Sequence, residues 1–101
     1  MTVARVVLIK LKPELVGSAG RAALAAEVRS ALEAEPGLSR LVVELPADAD
    51  AERSWDLSVR LELPSLDALE RLAARERYKA VFESVVPERS VVVKAWNFHA
   101  A

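Results

Sequence analysis

Residues Ser65 to Pro87 read SLDALERLAARERYKAVFESVVP, and the apolar pattern changes face midway through them. At about 100° per residue, Leu66, Leu69, Leu72 and Ala73 share one stripe. Tyr78, Val81, Phe82 and Val85 share another that lies nearly opposite. One straight helix cannot bury both stripes against one surface, so the polar run Arg75-Glu76-Arg77 is read as a break between two short helices. Everything before this stretch must then supply a surface for a broken helix to cover.

Val3 to Leu11, VARVVLIKL, is rich in β-branched residues and too short for a typical helix; it is read as a strand. Val3, Arg5, Val7, Ile9 and Leu11 form one face, while Val6 and Leu8 make the other apolar too, so both faces should be covered. Lys12-Pro13 ends the strand, and a helix is expected from an N-cap at Ser18 to about Glu35, with Leu24, Val28, Ala31 and Leu32 as its buried stripe. Pro36-Gly37 stops it. Leu41 to Leu45 is a second strand, and the acidic segment Ala47 to Arg53 is expected to be a solvated loop. Asp48 and Asp50 resemble the start of a calcium loop, but the later Gly and the closing Glu are missing, so no metal is expected.

Trp55 to Leu63, WDLSVRLEL, alternates strictly: Trp55, Leu57, Val59, Leu61 and Leu63 face one way, and Asp56, Ser58, Arg60 and Glu62 the other. Ser90 to Phe98 is the last strand. The order is strand, helix, strand, strand, helix, strand: an α+β, ferredoxin-like βαββαβ domain spanning residues 1–101, with a four-stranded antiparallel sheet covered by helices on one face. The other face would be bare in a monomer. Val6, Leu8, Arg60 and Glu62 on that side are expected to form a homodimer interface, with Arg60 and Glu62 pairing across it.

Bulk properties exclude several classes. A chain of 101 residues forms one domain, and its hydrophobic fraction of 52% includes no apolar run near the ~20 residues that span a bilayer. Fourteen basic against fifteen acidic residues leave a net charge of −1, so neither nucleic acid nor an anionic membrane is an expected partner. The absence of cysteine removes disulfides, thiolate nucleophiles and sulfur-ligated metals. Arg5, Lys10 and Lys12 interrupt any signal-peptide core, so the cytoplasm is the expected compartment.

The strings Arg5-Val6-Val7-Leu8-Ile9-Lys10-Leu11-Lys12, Ser54-Trp55-Asp56-Leu57, Ser65-Leu66-Asp67-Ala68-Leu69 and Val81-Phe82 together resemble the stress-responsive A/B barrel domain (Dabb) family. The resemblance covers nearly the whole chain. It implies that two sheets pair into a dimeric α/β barrel with a pocket between sheet and helices. The acid–base groups of relatives are replaced. A family His in the first strand matches Arg5; a Tyr, a His-Pro pair and a further His in the broken helix match Leu72, Arg75-Glu76 and Tyr78; an Asp near the chain end matches Ala95. A plant polyketide cyclase of the family uses that Tyr and the last His for proton transfer, and neither is at its matching position here.

General acid–base work needs a group that titrates near the working pH, which Leu72 does not have and a phenol, ordinarily near 10, supplies poorly. The single His99 lies two residues from the chain end and is expected to be solvated. The expected site is therefore a binding pocket: Arg5, Val7, Trp55 and Leu57 below, and Leu72, Arg75, Tyr78 and Phe82 above. Arg5 and Tyr78 would hold a carboxylate or enolate oxygen of a small hydrophobic molecule. The competing structural reading is a snorkelling Arg5, or one paired with an acid such as Glu76, beside a core Tyr78. Trp55 and Trp96 are read first as packing groups. The alternative function is a cofactor-independent enzyme, a cyclase, isomerase or monooxygenase, with a non-standard acid–base set; no cofactor is implied by either.

Overall fold

The computed structural model describes residues 1–101. Its strands are β1 (Val3–Leu11), β2 (Arg40–Glu44), β3 (Leu57–Leu63) and β4 (Ser90–His99); helix α1 (Ser18–Leu32) joins the first two. They form one antiparallel sheet in the order β2-β3-β1-β4. This is the ferredoxin-like arrangement expected from the element order. The core-facing residues Val7, Ile9, Leu57, Val59, Leu61 and Leu63 are buried beneath α1 and the broken helix.

The break falls within the expected run, at Arg75. Helix α3 (Leu66–Ala73), capped by the Ser65 hydroxyl on the Ala68 N–H at 3.1 Å, ends there, and Arg75 is extended with φ −79° and ψ 147°. The chain resumes as α4 (Glu76–Lys79), widens into a π-helical turn over Ala80–Val85, and closes with α5 (Val86–Arg89). The π-turn has a role in the packing. The Val86 N–H reaches back five residues to the Val81 carbonyl, so Val81 and Val86 both enter the core although an α-helix would rotate them apart. The same widening relieves the clash that the Pro87 ring would make with an α-helical carbonyl four residues back.

Four local expectations are corrected. Residues 47–53 are not an open loop: α2 (Ala49–Ser54) forms there, because the Asp48 carboxylate accepts the Ala51 N–H at 2.8 Å and Asp50 and Glu52 oppose the positive end of the helix dipole. Gly17, not Ser18, caps α1; its φ of +133° suits a residue without a side chain. Leu66 is 54% exposed, and Ala68 takes its expected place in the core. The period-2 pattern of β3 begins only at Leu57, so Asp56 is buried rather than facing out with Ser58. Asp56 accepts the Leu11 N–H at 2.8 Å and pairs with Arg21 Nη2 at 2.8 Å, pinning the start of α1 to the sheet.

Candidate functional site

Strand β1 carries Arg5 on its core-facing side, between buried Val3 and Val7. The helix layer presents Tyr78 from α4 directly above it. Arg5 Nη1 donates to the Tyr78 hydroxyl oxygen at 2.6 Å, and Arg5 Nε donates to Asn97 Oδ1 on β4 at 3.1 Å. Asn97 is the register partner of Arg5 across the β1–β4 ladder, so its side chain shares the same face. The Phe82 ring lies against Tyr78 with centroids 4.6 Å apart and planes at 42°, fixing the phenol from the π-turn.

Charge and solvent access give this cluster its character. The chain forms seven ion pairs and Arg5 is in none of them. A half-buried guanidinium held by two neutral oxygens retains N–H groups and a full charge for an anion. Because its oxygen accepts from Arg5, the Tyr78 phenol is left with its own proton to donate. The helix layer covers β1 but not β4, whose Val93, Ala95 and Asn97 are exposed on the side facing the helices. Arg5 and Tyr78 thus form the inner wall of an open flank with apolar and amide groups on its β4 side.

The other expected site residues are placed elsewhere or serve the packing. Val7, Leu57 and Leu72 are at most 2% exposed and belong to the core. Arg75 is turned to the buried Glu35 just beyond α1, with Arg77 Nε 4.0 Å from the same carboxylate. That pairing anchors the helix break. Trp55 stands with Leu8, Leu45 and Pro46 around a recess of about 240 Å³ at the β2 end of the sheet, bordered by Ser58 and Glu44 of the open face. The fold therefore brings together Arg5, Tyr78 and Phe82 of the expected site, and not Trp55 or Arg75. Asn97 was missed; the alternation of β4 was its only signal, and the pairing with Arg5 needs the strand register.

On the open sheet face lie Val6, Leu8, Arg60 and Glu62, as expected, together with Trp96 and Phe98, the register partners of Val6 and Ala4. Arg60 Nε meets Glu62 Oε2 of the same chain at 3.0 Å, so these charges already have a partner in one subunit. Trp96 and Phe98 are 47% and 55% exposed. His99 is exposed, its Nδ1 2.9 Å from the Ala100 carbonyl.

No family model and no curated protein matches the chain. Solved structures do. A Dabb family protein with a ferredoxin-like fold from Mesorhizobium loti superposes with a TM-score of 0.83 at 11% identity, over 99% of this chain and 97% of that one. The chain has the ferredoxin-like fold of this Dabb protein. A dimeric ferredoxin-like protein of unknown function from Thermobifida fusca gives a TM-score of 0.80 at 14% identity, over 99% of this chain and 92% of its own. SnoaB, a cofactor-independent oxygenase from Streptomyces nogalater, gives 0.73 at 16% identity over 98% of this chain and 92% of its own. Likeness at such identities concerns the backbone, so the Dabb-like fold leaves the chemistry to the residues themselves.

Proposed function

We propose that this protein acts as a homodimer that binds a small hydrophobic molecule bearing a carboxylate or enolate oxygen, in the flank between β4 and the broken helix. The observation that carries the reading is Arg5: a guanidinium on the core-facing side of a strand, without a carboxylate partner, fixed by Tyr78 and Asn97. Its charge supplies the attraction, the Tyr78 O–H a second donor, and Phe82 an apolar contact. The bare, aromatic sheet face supports the dimer.

The test is calorimetric titration with small aromatic and aliphatic carboxylates, each against its methyl ester. Carboxylates should bind at least tenfold more tightly than their esters, and Arg5→Leu should abolish the difference. Unchanged binding in Arg5→Leu would remove Arg5 from the site. A monomeric mass at micromolar concentration would count against the dimer.

A second reading, cofactor-independent oxidation, is favoured by the fold shared with SnoaB and by the free phenolic proton of Tyr78. Oxygen uptake with an electron-rich phenol and no added cofactor separates it from binding alone. In that case Tyr78→Phe should lose turnover far more than affinity, since the Arg5 charge remains to hold the substrate.

A further inference from the structure

The chain contains one asparagine, no glutamine and one tyrosine. Its only side-chain amide, Asn97, and its only phenol, Tyr78, both hydrogen-bond to Arg5. That contact fixes which way the amide points. Arg5 Nε–H can only donate, so Asn97 Oδ1 faces it and Nδ2 is turned away from the guanidinium. Asn97 is exposed and stands on the helix-facing side of β4, at the wall of the open flank, with Ala95 and Val93 continuing that side as apolar surface. Neither Asn97 Nδ2 nor Arg5 Nη2 donates to any oxygen of the chain, and the Tyr78 proton is free as well.

We infer that Asn97 is the specificity-determining residue of this site. It leaves the Arg5 charge unneutralised and completes a set of donors with no free acceptor among them, which selects carboxylates and rejects their carboxamides. This rests on the Arg5-centred reading above and narrows its ligand to one class. An aspartate in the same place would accept the same Nε–H, but it would cancel the guanidinium charge and put an acceptor where the amide puts a donor. A carboxylate carries about four acceptor sites on two oxygens, enough for the three donor groups, whereas a single enolate oxygen cannot satisfy them all. A carboxamide of the same shape replaces one oxygen with an NH2 group that must meet another donor. Both donors then lose their hydrogen bonds to water without replacement.

Because Asn97 holds the only side-chain amide, an isotope-labelled chain shows a single pair of such resonances, and they report on the site directly. Titration with cinnamate or octanoate should shift that pair, and each acid should bind at least about tenfold more tightly than cinnamamide or octanamide. Asn97→Asp changes an exposed residue to one of nearly the same shape, so it should fold as the parent does. It should lose at least about tenfold in cinnamate affinity and keep that for cinnamamide, which removes the preference. Asn97→Leu, which keeps the Arg5 charge and loses the donor, should weaken cinnamate severalfold and still prefer it. Unchanged affinities in Asn97→Asp, or equal losses for acid and amide, would overturn the assignment and leave the Arg5 reading standing. So would an unmoved amide pair during cinnamate binding that Arg5→Leu abolishes. If neither acid binds the parent chain, the two readings fall together.

Discussion

Asp56 is the residue on which the fold depends most sharply. Its carboxylate is 1% exposed and joins the Leu11 N–H at the end of β1 to Arg21 in the first turns of α1. Removing this carboxylate leaves the buried Leu11 N–H without its acceptor and Arg21 with only the exposed Glu52 at 3.5 Å, which together cost about 3 kcal/mol. Asp56→Ala should lower the melting temperature by roughly 15 °C for a domain of this size, measured by circular dichroism. The double variant Asp56→Leu, Arg21→Met should lose distinctly less, because it leaves no orphan charge. Arg5 illustrates the opposite design. With neutral partners only, Arg5→Leu should leave stability within about 1 kcal/mol of the parent while removing anion affinity. A larger loss of stability would favour the structural reading of this residue.

At the scale of the element, the broken helix divides two tasks. Helix α3 closes the core through Leu69 and Leu72, while α4 brings Tyr78 onto the sheet and the π-turn that follows brings Phe82 beside it and lets Val86 enter the core. Leu72→Ala should cost about 3 kcal/mol, whereas Leu66→Ala, in the same apparent stripe, should cost under about 0.5 kcal/mol, both read by denaturant unfolding. Gly20 is a second local constraint: a Cβ there would lie 1.8 Å from the Leu15 carbonyl oxygen. Gly20→Ala should therefore displace the turn Pro13–Leu15 or the start of α1, with a loss of at least about 2 kcal/mol in the same measurement. The break itself was legible from Ser65 to Pro87, since the two stripes could not share a surface. The π-turn was not, because its hydrogen bonding is chosen by which side chains the sheet can receive.

For the molecule as a whole, one sheet face is packed and the other is bare, with Trp96 and Phe98 exposed upon it. Trp96→Lys should convert the proposed dimer to a monomer in native mass spectrometry without changing the far-ultraviolet spectrum. The change acts on a surface the single chain does not need for its own core. No helix is long and apolar enough to cross a membrane.

Hydrophobic periodicity by itself determined the order of the four strands and the two helical segments that cover them, the broken helix and the bare sheet face, because these follow from which side chains must leave water; the capped helix α2 was outside its reach. Only the tertiary structure decided that Asp56 turns inward to Arg21, that Arg75 serves Glu35, and that Arg5 meets Tyr78 and Asn97. Polar partners are chosen by register and crossing geometry, over as many as 92 residues of separation between Arg5 and Asn97. Periodicity can say which face a side chain takes, but not which donor or acceptor is waiting there. The stretch from Ser65 to Pro87 therefore announced its break in the sequence, while the chemistry gathered around that break came from strands at the two ends of the chain.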